Sequence, residues 1–372
     1  MHRHMAESLR GRVQAASFGR PRPRCTDGGG SGHWSVVGSE LDEALEPEVE
    51  KRTRLQGPDP QALSCLVGHS CLKGRKRPGR QQLPNQDSWA AHHLPGKGTA
   101  LGVFDGHGES GHVVSDAAQE RLTRDVAMAA LSGSKGRSGR VEGLYERAQQ
   151  SIAEQPQLGG QRSGTSATIV VHNVADHTLV VSHVGDSSAV VVRRKAACDG
   201  EIEGIFLTRD HKPDLEDERD RIQKAGGRVL YDGHGYRVCG AGMALNMSRS
   251  LGDVDLHSAS GVVAKPEVTE YPLSWRDRAL VVCSDGIWEF VKPQEIADIF
   301  EKFDESQAMT AAQHIADTAA SRWRRSTGGE MMDDITVLVM FLFAEDVSAV
   351  STTDDSGSDV ASVPSVPSVP SS

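Results

Sequence analysis

Four aspartate positions, far apart in the chain, stand at the ends of apolar runs. Asp105 closes the run 101–104 and is followed by Gly106-His107-Gly108; Asp186 comes one glycine after the run 179–184. Asp285 follows 279–283 between Ser284 and Gly286, and Asp333-Asp334 opens the run 335–342. Each run reads as a buried strand that delivers a carboxylate to a turn. Carboxylates gathered in one place repel one another and resist desolvation unless cations neutralise them, and oxygen-only ligand sets suit hard ions such as Mg²⁺ or Mn²⁺. The pattern points to a carboxylate-bound metal centre around Asp105.

The elements that must position these groups have ample chain to draw on, since 372 residues can build one large domain or two ordinary ones. A net charge of −10, from 51 acidic and 41 basic side chains, argues against a bulk nucleic-acid binder. Six cysteines, at 25, 65, 71, 198, 239 and 283, lie far apart in a chain without a secretory apolar region, which suits reduced thiols in an intracellular protein. Cys65, His69 and Cys71 lack a fourth ligand at a recognised zinc spacing and read as ordinary residues. No run reaches the roughly 18 apolar residues a membrane span needs.

Residues 1–62 hold few large apolar side chains, with six Arg and one Glu before residue 25 and an acidic block at 40–50. Such composition predicts a disordered extension; its Arg-rich start also fits an organelle transit peptide, and His2 excludes myristoylation there. Folded sequence is expected over 63–344, entered through the basic loop 73–80. Spacing predicts helices at 110–131, 144–152, 213–225, 294–303 and 307–324. Strands are expected at 165–171, 178–192, 279–283 and 335–343, with 228–262 as a glycine-rich ordered flap. From 345 the chain is rich in Ser, Asp, Val and Pro and ends in three Ser-Val-Pro repeats, the composition of a flexible tail.

Ten short motifs occur in one order: Asn85-Gln-Asp87, Val103-Phe-Asp-Gly-His-Gly108, Ser163-Gly-Thr-Ser-Ala-Thr168, Val184-Gly-Asp-Ser187, Leu207-Thr-Arg-Asp-His-Lys-Pro213, Ala225-Gly-Gly-Arg-Val229, Met247-Ser-Arg-Ser-Leu-Gly-Asp253, Lys265-Pro-Glu-Val268, Cys283-Ser-Asp-Gly-Ile-Trp288 and Asp333-Asp-Ile-Thr336. Each alone is weak. Together they make residues 63–344 resemble the metal-dependent (type 2C) serine/threonine protein phosphatases. The resemblance implies an α+β fold in which two antiparallel β-sheets pack as a sandwich between flanking helices.

It also implies roles. Asp105 matches the carboxylate that bridges two Mg²⁺ or Mn²⁺ ions, with the Gly106 carbonyl on one of them and Asp285 and Asp333 on the other. Asp87 matches an acidic residue beside the ion-bound waters. Gln86 stands where many members carry glutamate, and it brings an oxygen without charge. Asp186, Asp285 and Glu289 match a weaker third ion position. The family's phosphate-contacting arginine has no secure counterpart, because Gln82 falls at its spacing in one subgroup; Arg80, Arg77 and Arg75 are the candidates. Ser188 stands for a frequent arginine and Asp334 for a frequent asparagine. His107 resembles the general acid, and an imidazole titrating near neutral pH can protonate a departing alkoxide. His183, His211 and His234 are assigned to structure.

Phosphate monoesters resist hydrolysis so strongly that enzymes accelerate it by up to about 10²¹. A site must create a nucleophile and neutralise charge together, and two divalent ions can do both. The expectation is therefore a phosphatase acting as a monomer on phosphoprotein substrates, cytoplasmic or nuclear, with no nucleic-acid partner. The alternative is a catalytically weak homologue that binds phosphoproteins as a regulator.

Overall fold

The protein is described from a computed structural model that covers residues 67–76, 78–195 and 201–342, together with the backbone of two short strands before them. The expected disordered extension at 1–62, apart from those strands, and the tail at 345–372 lie outside the described residues, as do Cys65 and Arg77.

The chain runs through β1 (Trp34–Gly38), β2 (Arg54–Gln56), β3 (Val67–Leu72), β4 (Asp87–Leu94) and β5 (Gly98–His107) into two helices, α1 (Gly111–Leu131) and α2 (Arg137–Ala153). Strands β6 (Gly164–Thr165), β7 (Ala167–Asn173), β8 (Thr178–Val184), β9 (Ser188–Arg194) and β10 (Ile202–Phe206) follow. A smaller region holds α3 (Glu216–Lys224), β11 (Arg228–Tyr231), β12 (Tyr236–Gly240), β13 (Met243–Leu245), β14 (Leu251–Gly252) and α4 (Val254–Ser260). The last part comprises β15 (Glu267–Pro272), β16 (Asp277–Cys283), α5 (Asp285–Trp288), α6 (Pro293–Phe300), α7 (Ala308–Thr327) and β17 (Ile335–Phe341).

One sheet has nine strands, seven of them in the order β15-β8-β7-β5-β4-β1-β2, with β6 and β14 joined beside β5; a second is β10-β9-β16-β17-β3, and β11-β12-β13 form a small third. Every described strand pair is antiparallel. This bears out the α+β expectation.

Between the sheets lie Leu101, Val103, Val181, Val191, Leu280, Val282, Leu338 and Met340. On the far side of the larger sheet Ala100, Phe104 and Ile169 pack against Val114, Leu122 and Tyr145 of α1 and α2. On the far side of the smaller one Val281, Val339 and Phe341 meet Ile296, Phe300 and Ile315 of α6 and α7. Strands covered on both faces read as continuous apolar runs, which is why β5, β16 and β17 were visible in the sequence. Each fully buried Leu, Val, Ile or Phe is worth roughly 1.5–3 kcal/mol relative to exposure.

The β4–β5 hairpin sets the geometry of the site. Pro95 and Gly96 form its turn, with Gly96 at φ +68° and Lys97 N–H donating to the Leu94 carbonyl at 2.9 Å. The resulting register carries Asp87 opposite Asp105. On the other sheet, α7 lies so close to β3 that a Cβ on Gly68 would stand 1.9 Å from the Ala308 carbonyl oxygen. The alanine face of α7 permits that approach, and Trp323 on the same helix donates its indole N–H to the Gly286 carbonyl at 2.8 Å, tying α7 to α5.

Some boundaries differ from the sequence expectation. Helix α2 begins at Arg137, seven residues before the expected 144, because its first turn is anchored by a buried guanidinium that pairs with Asp176 and Glu270 at 2.5 and 2.7 Å. Apolar periodicity cannot see such an anchor. Helix α3 begins at Glu216 and leaves Pro213 in the preceding turn; Glu216, Asp217 and Glu218 fill its first turn and Arg221 and Lys224 its last, matching the helix dipole. The expected flap is ordered, with β11-β12-β13 packing Val238 and Leu245 onto Ile222 of α3 and Leu256 of α4. Within 1–62, β1 pairs with β4 and β2 pairs with β1 at the edge of the large sheet.

Candidate metal centre and active site

A cleft of about 380 Å³ opens where the ends of β5, β16 and β17 converge, lined by Lys76, Gln86, Asp105, Gly106, His107, Asn246, Met247, Asp285 and Asp333 among others. Asp105 comes from β5, Asp285 from the first turn of α5 directly after β16, and Asp333 from the segment before β17. Asp87 and Asp186 are 0% and 1% exposed and do not line the cleft.

The local backbone is tightly constrained. A Cβ on Gly106 would fall 2.5 Å from the carbonyl oxygens of Gln86 and Gly111, so only glycine fits after Asp105. Asp105 N–H donates to Ser166 Oγ at 3.1 Å, and Ser166 N–H returns a bond to the Asp105 carbonyl at 2.9 Å. Asp87 accepts from Ser284 Oγ at 2.8 Å, and Ser284 Oγ also receives the Thr336 N–H at 2.9 Å. One serine thereby couples β4, α5 and β17. Asp334 accepts from Gly74 N–H at 2.6 Å and Gln86 N–H at 2.8 Å, a pair of acceptors that asparagine could not offer.

Electrostatics single out the same residues. Burial, reinforced by the Asp334 carboxylate, pushes Asp87 up to about 8. Burial and then the neighbouring Asp285 and Asp87 hold Asp105 well above the carboxylate range; burial, Asp186 and Asp333 do the same to Asp285. Asp87 Oδ1 and Asp186 Oδ1 are buried without a hydrogen-bond partner. Orphaned, mutually repelling carboxylate oxygens are the donor set that hard divalent cations require, so these residues fit Mg²⁺ or Mn²⁺.

The other expected site residues fall into place unevenly. Gln86 lines the cleft, but its Nε2 donates to the Gly108 carbonyl at 2.6 Å, leaving Oε1 as the only oxygen it can offer. Lys212 Nζ stands 2.5 Å from Asp186 Oδ2, so a protein cation already sits at the third expected ion position, and Glu289 is exposed. Arg75 and Arg80 are exposed, away from the cleft lining, and Arg75 donates to the Gly329 carbonyl at 3.4 Å. Ser188 donates to Asp210 Oδ1 at 2.9 Å.

Sequence reasoning missed three groups. Lys76 lines the cleft with Nζ 3.5 Å from Asp333 Oδ1. Its backbone is gripped by Gln82, whose Oε1 accepts from Lys76 N–H at 3.2 Å while Nε2 donates to the Lys76 carbonyl at 3.0 Å. The glutamine at the expected arginine spacing closes the loop that presents a lysine. Lys212 was inside a quoted motif without a role. So was Asp253, fully buried, whose Oδ2 lies 2.7 Å from His107 Nε2. Burial alone would lower the His107 pKa, but Asp253 outweighs it and the net shift is upward.

His183, His211 and Glu267 also bring ligand atoms within 4.8 Å of one another. Glu267 is already paired with Arg209 at 2.5 Å and has Arg249 at 3.6 Å. Two guanidinium groups oppose a further cation there, so the cluster acts as an ion-pair node joining β15 to β8. His234 is exposed in the turn between β11 and β12.

Comparisons with known proteins bear on the family and the fold. The family model described as Protein phosphatase 2C matches residues 73–327. A relative named probable protein phosphatase 2C 72 from Arabidopsis thaliana is 31% identical over 255 residues, 65% of this chain and 76% of that one. Probable protein phosphatase 2C 64 from Oryza sativa subsp. japonica is 30% identical over 319 residues, 80% of this chain and 73% of the relative. The crystal structure of serine-threonine phosphatase 2C from Toxoplasma gondii superposes with a TM-score of 0.61 at 21% identity, covering 74% of this chain and 98% of that chain.

Proposed function

The chain belongs to the protein phosphatase 2C family, and from that premise we propose that it hydrolyses phosphoserine and phosphothreonine esters on protein substrates, using Mg²⁺ or Mn²⁺. The observation that carries this reading is the convergence of Asp105 and Asp285, both pushed well above the carboxylate range, in an open cleft that also holds an imidazole and an ammonium group.

The chemistry that two such ions supply when bound is a water of lowered pKa and neutralisation of charge on the phosphoryl oxygens. Asp105, Asp285, Asp333 and the Gly106 carbonyl would hold them, with Gln86 contributing a neutral oxygen. Asp87, fixed by Ser284, would accept hydrogen bonds from water at the site. Asp186, with Asp285 and Glu289, offers a weaker third position, for which Lys212 competes. Lys76 receives the substrate phosphate in place of Arg75, Arg77 or Arg80. His107 gives a proton to the departing serine or threonine oxygen.

The test is release of inorganic phosphate from a phosphothreonine peptide by the purified chain with Mn²⁺, and its loss on chelation. A second reading, a weak homologue that binds phosphoproteins as a regulator, draws on the uncharged Gln86. Phosphopeptide binding without turnover at saturating Mn²⁺ would favour it. No helix among the described residues is long and apolar enough to cross a membrane. A monomeric state and a cytoplasmic or nuclear location are part of the same proposal.

A further inference from the structure

We propose that Asp253 is the positioning residue of the active site, orienting the His107 imidazole for proton delivery to the leaving oxygen. This rests on the phosphatase reading above. His107 Nε2 lies 2.7 Å from Asp253 Oδ2. With that nitrogen committed, the proton available to a departing oxygen is carried on Nδ1, which is buried and without a hydrogen-bond partner among the described residues, on a ring that is a quarter exposed and lines the cleft. In the balanced step, the bond between phosphorus and the ester oxygen breaks as a water oxygen bonds to phosphorus. The His107 proton passes to the departing oxygen, and a proton released by the attacking water restores the imidazole.

Three further features converge on the pair. Asp253 is 0% exposed and sits at φ +44°, a left-handed conformation that aspartate adopts at a cost. It is held there by its N–H on the Ser163 carbonyl at 2.9 Å and by Ser250 Oγ on its Oδ2 at 2.7 Å. The preceding Gly252 is gripped through both backbone polar groups by Gln149 of α2, at 2.7 and 2.9 Å. Gly164 leaves the room: a Cβ there would stand 2.2 Å from Asp253 Oδ2 and 2.7 Å from His107 Nε2. Strain, a clamp and a reserved space around one carboxylate are more than a passive ion pair needs. An aspartate that fixes the tautomer and orientation of a catalytic imidazole is a recurrent device in proton transfer.

The experiment compares wild type, Asp253→Asn, His107→Gln and the double variant at saturating Mn²⁺ on a phosphothreonine peptide and on p-nitrophenyl phosphate. Nitrophenolate leaves as a stable anion and needs little help from an acid. Asparagine tolerates the left-handed backbone, so the variant is expected to fold. Asp253→Asn should lower kcat on the peptide by about 10- to 10²-fold, less than the roughly 10²- to 10⁴-fold that the acid itself supplies, with KM little changed and a much smaller loss on the activated ester. The double variant should be no slower on the peptide than His107→Gln. Equal losses on both esters, multiplying losses in the double variant, or wild-type rates in Asp253→Asn would overturn the assignment. If Asp253→Asn fails to fold, Gly164→Ala crowds the pair without removing either member and should show the same preference for the activated ester; unchanged or equal rates on both esters would overturn the assignment. A wild-type chain inactive on both esters would instead remove the phosphatase reading, and this one with it.

Discussion

Asp87 and Asp105 occupy the same register position on neighbouring strands, so two carboxylates face each other across the β4–β5 ladder. Like charges directly opposite on a sheet destabilise it, and here Asp285 and Asp333 add to the repulsion on Asp105. The fold tolerates the arrangement because the surrounding strands are buried on both faces. The cleft is thus the place where stability and function oppose one another.

Asp105→Asn should separate the two. Burial and its neighbours make Asp105 costly to ionise in the folded chain, a cost asparagine does not carry, so the melting temperature of the metal-free protein should rise, by about 2–4 °C for each kcal/mol gained in a domain of this size. The same change removes the central charged ligand, so the Mn²⁺-induced rise in melting temperature should vanish and turnover fall at least about 10²-fold, since each factor of ten corresponds to about 1.4 kcal/mol. Calorimetry with and without Mn²⁺ checks both halves. A variant that keeps its Mn²⁺ shift would show that Asp105 is no ligand.

The raised carboxylates also set a pH dependence. Asp87 titrates at about 8 in the folded metal-free chain, against about 3.9 unfolded. Between those values the native state holds the extra proton, so stability falls as pH rises through the window. His183 and His257, each depressed to about 4 by burial, act oppositely, but only up to the ordinary imidazole value of about 6.5. In chelator the melting temperature should therefore fall from pH 6.5 to 8, and Mn²⁺ should flatten that slope. A metal-free melting temperature that climbs across this interval would contradict the assigned protonation of the cluster.

How much of this was legible in the sequence depended on which force set each feature. Runs such as 279–283 and 335–341 stood out because burial on both sheet faces left them almost wholly apolar, with Thr336 the one hydroxyl in the second run. The alanine spacing of α7 was equally plain. Edge strands were not: β15 mixes exposed and half-buried residues without regular alternation and has no strong apolar pattern. The candidate metal carboxylates stood out because each sits beside glycine or at a strand end. Asp253 pairs with a residue 146 positions away, and Lys76 is aimed by the side chain of Gln82. Both placements arise from tertiary contacts that leave no periodic trace.

Lys76→Met should weaken phosphate recognition. A hydrogen bond to a charged group is worth about 1.5–3 kcal/mol, so KM for a phosphopeptide should rise by about 10- to 100-fold, and inhibition by inorganic phosphate should weaken in parallel. Lys76→Arg should keep most of the affinity. Arg80→Ala serves as the comparison, since Arg80 is exposed outside the cleft lining. An equal KM effect from Arg80→Ala would return the role to the arginines.

Glu218 anchors the flap. Its carboxylate, 1% exposed, pairs with Arg249 at 2.5 Å and Arg221 at 2.7 Å, and Ser248 Oγ donates to it. Although burial opposes ionisation, those partners hold it well below the usual carboxylate range. Removing one partner from a buried ion pair costs about 3–5 kcal/mol, and the flap core around Ile222, Val238 and Leu256 is small. Glu218→Gln should make the segment 228–245 sensitive to limited proteolysis before the sandwich unfolds. Cleavage no faster than in wild type would show that the apolar core alone holds the flap.

Gln86→Glu tests the uncharged corner of the cleft through two opposed effects. In the metal-free protein the change replaces the Nε2 donor to the Gly108 carbonyl, now at 2.6 Å, by an anionic oxygen facing that carbonyl. It also adds a charge beside a cluster already pushed above the carboxylate range. An unsatisfied buried group costs about 1–3 kcal/mol, so the metal-free melting temperature should fall. With Mn²⁺ the balance reverses, because a charged oxygen binds a hard cation more strongly than a neutral one and the ion removes the repulsion. The half-saturating Mn²⁺ concentration should drop several-fold, measured by calorimetric titration. The Mn²⁺-induced rise in melting temperature should exceed that of wild type. Lower metal-free stability with unchanged Mn²⁺ affinity would mean that Gln86 serves only to brace the loop at Gly108, and that the ions are held by Asp105, Asp285 and Asp333 without it.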